Sequence, residues 1–228
     1  MVIFGFLGAE DARADFFVFD GTFNESDWLH LEANVTNGGL VEMSQIGDGD
    51  GNPGAFQRGV HTLAPPHFSR TTGAHFYSNP NGIYEPAAMG EIGLLDFVYQ
   101  FKSSVVNGVN AVSHNPAVLQ DGTIFMANSS YQLHSGESWT GYSITGLTAG
   151  DFEDIKLMHP DFSSNGSAIQ FGYLAHNAAD AGSTGTTIHT WGVDNFSAYA
   201  SAVPEPSSGA ILSVACAAFL ARRRRRAK

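Results

Sequence analysis

The stretch Ile92-Gly93-Leu94-Leu95-Asp96-Phe97-Val98-Tyr99-Gln100-Phe101 decides the fold class. In an extended chain Leu95, Phe97, Tyr99 and Phe101 share one side, and Leu94, Asp96, Val98 and Gln100 the other. That period of two is the signature of a β-strand; a helix would repeat its apolar positions at three and four.

The same short pattern recurs on both sides of this strand. Phe16 to Phe19 starts it. Leu29, Leu31, Ala33 and Val35 form an expected core face, with His30, Glu32 and Asn34 outward. Asn37-Gly38-Gly39 tolerates φ > 0 and predicts a hairpin returning through Leu40 to Ile46. Gly47 to Gly54 is a loop, and Phe56 to Leu63 a strand containing Arg58. Pro65, Pro66, Pro80 and Pro86 predict that Ala64 to Met89 breaks into extended pieces and turns. Thr123 to Ala127, Ser138 to Ile144, the alternating Ile169, Phe171 and Tyr173, and one or two strands over Thr186 to Ala200 complete the pattern. Between them, Gly146 to Phe152 reads as a turn into a short helical or bent piece. About a dozen short strands without a sustained helical period predict an all-β fold, an antiparallel two-sheet β-sandwich over residues 15–200.

Composition narrows the function. The chain has 228 residues, 43% of them apolar and only 14% charged, enough for one sizeable core. Residues 15–203 hold four cations, Arg58, Arg70, Lys102 and Lys156, against nineteen acids, a balance of −15. Such a domain repels nucleic-acid phosphates and anionic membrane surfaces, and suits cations, neutral glycans and a solvated extracellular life. The single cysteine, Cys216, excludes an internal disulfide.

Both ends differ from the middle. Met1 to Ala9 is apolar and Ala12-Arg13-Ala14 fits a small-x-small cleavage site, so residues 1–14 read as a truncated signal segment; a first β-strand is the alternative. At the C-terminus, residues 201–208 form a linker containing Val203-Pro204-Glu205-Pro206. In residues 209–228, an uncharged run from Gly209 to Ala221 is followed by Arg222, Arg223, Arg224, Arg225 and Arg226. As a helix the run spans about 20 Å, short of the roughly 30 Å hydrocarbon core, and the arginines act as a membrane stop.

This order of Pro-Glu-Pro, apolar helix and terminal arginines resembles the PEP-CTERM sorting signal of Gram-negative bacteria. The resemblance implies export, transient inner-membrane anchoring through the C-terminal helix, processing by an exosortase-type sorting protease, and delivery to the cell surface or the extracellular matrix. Phe19-Asp20-Gly21-Thr22-Phe23, Asn52 to Arg58, Tyr84 to Ile92 and Val193-Asp194-Asn195-Phe196-Ser197 are similar to elements of surface proteins that carry such tails. That similarity implies a concanavalin-like jelly roll, of the laminin-G-like kind, with a curved face able to hold polysaccharide.

Chemistry-bearing residues are few. Asp48, Asp50 and Asn52 alternate in a Gly-rich loop, where three oxygens can converge on Ca²⁺; an acidic turn is the alternative. The twelfth position of an EF-hand counted from Asp48 would be Gly59, so that motif is absent. Nine histidines show neither HxH nor HExxH spacing and read as surface or strand-face residues. Glycoside cleavage needs two carboxylates on one cleft, and neither Glu91 with Asp96 nor Asp151 with Glu153 and Asp154 has the spacing. Trp139, Tyr131 and Trp191 are the candidate stacking platforms for sugar rings, with core packing as the alternative for each. The sequence therefore predicts a non-catalytic exported surface or matrix protein that binds polysaccharide. A secreted carbohydrate-active enzyme and a purely structural matrix protein are its rivals.

Overall fold

The computed structural model describes residues 15–35, 40–46, 50–63, 69–106, 112–128, 132–179 and 185–203. The signal segment, the Asn37-Gly38-Gly39 turn, Asp48, Tyr131, and everything from Pro204 on, including the C-terminal helix and arginines, lie outside them. No helix among the described residues is long and apolar enough to cross a membrane.

Fourteen strands are described: β1 (Phe16–Asp20), β2 (Trp28–Val35), β3 (Leu40–Ile46), β4 (Phe56–Leu63), β5 (Ser69–Tyr77), β6 (Ile83–Tyr84), β7 (Ile92–Val106), β8 (Val112–Gln120), β9 (Thr123–Ala127), β10 (Gln132–His134), β11 (Thr140–Leu147), β12 (Phe152–Glu153), β13 (Ile169–Ala179) and β14 (Thr187–Ala202). They form two antiparallel sheets. The six-stranded sheet runs β11-β7-β14-β4-β3, with β1 also paired to β14. The eight-stranded sheet runs β12-β9-β8-β13-β5-β2, with β10 on β8 and β6 on β13. The two-sheet sandwich is as the alternation predicts.

β7 bears out the reading that opened it. Leu95, Phe97, Tyr99 and Phe101 are fully buried, while Leu94 and Val98 are nearly half exposed. They join Phe171, Tyr173, Phe196, Trp191 and Val118 in one continuous core between the sheets. The Gly146 to Phe152 turn contains the expected helical piece, capped by reciprocal bonds between Thr148 and Asp151.

Two local expectations change, both on β2. β2 and β3 belong to different sheets, β2 pairing with β5 and β3 with β4, so the Asn37-Gly38-Gly39 stretch joins two sheets and not a hairpin. Turn chemistry sets a local bend; which strand pairs with which is decided by burial across the whole domain. The faces of β2 are also reversed. Trp28 and His30 point inward, opposite Tyr77 and His75, and Leu29 is 36% exposed. Leu31 packs outward on a second apolar cluster of Ala74, Phe76, Ala117, Leu119 and Leu174, on the other side of the same sheet. Within Ala64 to Met89 the described part is broken as expected, into β5, a turn at Pro80–Gly82, β6 and a short helical turn at Pro86–Met89. Of the one or two strands expected over Thr186 to Ala200, there is one, β14, with a bulge between Asp194 and Ser197.

Two of the quoted motifs are structural anchors. Asp20 is buried, accepts the indole N–H of Trp28 at 2.7 Å, and accepts the backbone N–H of Thr22 and of Phe23, each at 2.8 Å. It ties β1 to the start of β2. Asp194, at the bulge of β14, accepts the backbone N–H of Asn52 and that of Asn195. The Asn195 amide donates to the Asn52 carbonyl at 2.6 Å. The bulge thus holds the 50–54 loop against the outer face of the six-stranded sheet.

Candidate functional site

That loop forms one wall of a pocket. Three central strands of the six-stranded sheet place Lys102, Gly192 and Arg58 in one cross-strand row, and Ser104, Thr190 and Val60 in the row two residues on. These positions alternate with the buried Phe101, Ser103 and Trp191, so they face away from the core. The pocket is about 400 Å³. Phe56, Arg58, Lys102, Ser104 and Thr190 line it from the sheet, with the buried Ser103 and Trp191 beneath, Asp50 from the loop and Glu137 from the turn before β11.

Its aromatic wall is built on a glycine. A Cβ at residue 192 would lie 2.8 Å from the Phe56 ring and 3.1 Å from Trp139, so only glycine lets both rings settle over β14. Trp139 meets Phe56 edge to face, with centroids 5.3 Å apart. The Lys102 ammonium lies 4.2 Å and 4.4 Å from the two ring centroids and donates to the Asp50 carbonyl at 2.9 Å. The Trp139 indole N–H donates to the same carbonyl at 3.1 Å. Burial lowers the Lys102 pKa, against the opposing pull of Asp50 and Asp194. Cation–π contact and a carbonyl bond together fix this lysine as part of the wall.

The predicted site residues separate here. Trp139 is half-buried and stands beside the pocket, against Phe56, Lys102 and the Asp50 carbonyl. Trp191 is only 1% exposed: it points inward over Gly59, and its indole N–H donates to His61. It belongs to the core and lines the pocket only from beneath, because its parity on β14 matches Val193 in the core. Tyr131 lies outside the described residues. Of the loop triad, Asp48 also lies outside them, while Asp50 and Asn52 engage through their backbones as described. Among the described residues no group of three His, Cys, Asp or Glu side chains is placed to hold a metal ion. In the sorting motif, the Val203 N–H donates to the Glu91 carbonyl at 2.8 Å; Pro204, Glu205 and Pro206 are outside.

Sequence reasoning passed over Phe56, Lys102, Glu137 and Thr190. For Phe56, Lys102 and Thr190 the signal was parity, outward positions on three strands that the topology makes neighbours; Glu137, in a turn, gave none.

The histidines are the main correction. Eight of the nine are described, and His61, His75, His114, His134 and His189 are buried rather than on the surface. They share the inward parity of their strands and fill the half of the sandwich under the pocket. His61 bonds to Asn177 at 2.6 Å, His114 to the Tyr99 hydroxyl at 2.8 Å, and His75 to His30 at 3.1 Å. His134 bonds to the Gly136 carbonyl at 2.7 Å and steadies the turn that carries Glu137. Loss of water lowers the pKa of His61 and of His189 to about 4 and of His114 to about 3, and holds His75 well below its ordinary value. All four are neutral at pH 7.

No family model matches the chain, and no curated protein does. Solved structures include loosely similar sandwiches. A family 11 carbohydrate-binding module from Clostridium thermocellum, in complex with a β-1,3-1,4-mixed-linked tetrasaccharide, is 14% identical with a TM-score of 0.46, over 84% of this chain and 98% of its own. The CBM22-1 and GH10 modules of an endo-1,4-β-D-xylanase from the same organism, complexed with xylohexaose, are 11% identical with a TM-score of 0.43, over 82% of this chain and 29% of theirs. The mannan-recognising module TmCBM27 is 11% identical with a TM-score of 0.37, over 81% of this chain and 98% of its own. Likeness at this level carries nothing about ligand.

Proposed function

We propose that this protein binds polysaccharide, without cleaving it, in the pocket on the outer face of its six-stranded sheet. The observation behind this reading is the half-buried Trp139, seated with Phe56 over Gly192 beside a floor of Ser104 and Thr190. An aromatic ring packs on the apolar face of a pyranose while hydroxyl and charged groups bond its rim. In isothermal titration against a panel of plant and bacterial polysaccharides, the full chain binds at least one polymer. Trp139→Ala weakens that binding by about tenfold or more while the thermal transition is kept. Failure to bind any polymer refutes the reading.

Cleavage is the second reading, because two carboxylates, Asp50 and Glu137, line the same pocket. Both side chains are exposed, whereas a glycosidase shelters its acid in an apolar recess. Release of reducing ends from a bound polymer would favour cleavage.

The sandwich is further read as a concanavalin-like jelly roll on an exported protein of the cell surface or matrix. What supports export is the sequence: Pro204-Glu205-Pro206, the Gly209 to Ala221 run and the five arginines. Intact mass and cell fractionation, with and without the exosortase-type protease, test this. Loss of the residues after Pro-Glu-Pro is the expected result, and a full-length inner-membrane protein in both strains would refute it.

A further inference from the structure

Of the four cations in residues 15–203, two line this pocket, and they are not equivalent. Lys102 is committed to two rings and the Asp50 carbonyl. Arg58 is half-buried and, among the described residues, has no hydrogen bond, ion pair or ring contact, although acids outnumber cations nearly fivefold. Gly192 stands between them in the row, with the Phe56 and Trp139 rings over it, and strand spacing puts the two backbones about 10 Å apart.

A planar guanidinium with free donors is built for a carboxylate, which it meets through two parallel bonds. The surroundings limit how much negative charge the ligand can bring. Asp50 and Glu137 stand at the pocket, and the domain carries its balance of −15. That wider field is screened beyond about 8 Å at physiological salt, so it bears little on one anion in contact with Arg58 and heavily on a polymer charged at every residue.

We infer that the pocket selects a glycan bearing isolated uronic acid residues in an otherwise neutral chain, Arg58 receiving the carboxylate and Trp139 the sugar face. This rests on the polysaccharide-binding reading above. It makes affinity a non-monotonic function of charge: one carboxylate per bound segment helps, and dense charge hinders.

The test uses the full chain and two neutral backbones, a β-glucan and a galactan, each native, sparsely oxidised at C6 to uronate, and densely oxidised. Titration calorimetry should show the sparsely oxidised polymer binding about tenfold tighter than the native one, and the densely oxidised polymer binding worse than the sparse. Arg58→Gln should remove the difference between native and sparse, and Arg58→Lys, which keeps charge but loses the planar fork, should retain only part of it. Equal affinity for native and sparsely oxidised polymer, or a preference that survives in Arg58→Gln, overturns the inference while leaving polysaccharide binding intact. Absence of binding to every polymer overturns the reading of the pocket itself.

Discussion

Lowering the pH should unfold this protein through its buried histidines. His61 and His114 are fully buried, and burial lowers their pKa values to about 4 and about 3 from an ordinary 6.5. Among the described residues Nε2 of His114 has no hydrogen-bond partner. Whichever tautomer bonds to Tyr99, an imidazolium there would carry one N–H with no acceptor. Between pH 6.5 and these lowered values the unfolded chain binds more protons than the folded one, so stability falls as the pH falls. The contribution is complete above about pH 6.5 and is fully lost below about pH 3 to 4. At pH 5 each of the two residues has lost about 2 kcal/mol, at 1.36 kcal/mol per unit, or about 4 kcal/mol together. His75 and His189 act in the same direction. Against a typical domain stability of about 5–15 kcal/mol, that is a large share. Urea unfolding followed by far-ultraviolet circular dichroism from pH 7.5 to 5.0, at constant ionic strength, reads the slope in a window where ordinary carboxylates stay ionised. His114→Phe keeps the ring stacked on Phe101, whose centroid is 4.1 Å away, and should flatten the slope by about 1.4 kcal/mol per pH unit. Stability equal at both ends of the range to within about 1 kcal/mol, or a slope unchanged in His114→Phe, would refute the reasoning.

Two further outcomes follow from the same packing. Gly192→Ala brings a Cβ to 2.8 Å from the Phe56 ring, so it should cost about 1–3 kcal/mol by overpacking and displace Trp139; a thermal transition and tryptophan emission identical to those of the parent would contradict this. Asp20→Ala leaves the Trp28 indole N–H and two backbone N–H groups without an acceptor, at a cost of about 3 kcal/mol or more in urea unfolding, part of which Asp20→Asn should restore. An Asp20→Ala midpoint within error of the parent's would show that the carboxylate anchors nothing.

The reading from sequence succeeded where side-chain period and burial agree. On β7, every second residue is apolar and every second residue is buried, so the strand and its faces are both legible. It failed on β2, where Leu31 serves a second cluster on the far side of the eight-stranded sheet and Leu29 is exposed. Periodicity shows that a strand has two unlike faces; it does not show which of them the other sheet covers. The histidines failed for a related reason. Imidazole is polar enough to read as surface, yet parity places His61 beside His189 and His114 opposite Ala175, inside the sandwich. Trp139 and Trp191 make the same point as a pair: both are aromatic residues in β-rich sequence, but Trp191 is buried in the core beneath the pocket, while Trp139 is half-buried against Phe56 and Lys102 beside it.

The amino-acid sequence by itself determined the all-β class, the acidic balance and the shortage of free cations, because these follow from composition and from the two-residue period of an extended chain. Only the tertiary structure decided that Arg58 and Lys102, forty-four positions apart, flank Gly192 in one row, and that Phe56 and Trp139 close over it. The physical reason is that a sandwich pairs strands distant in the chain. Register across β7, β14 and β4 is set by burying one face of each, and the pocket is what that register leaves on the other.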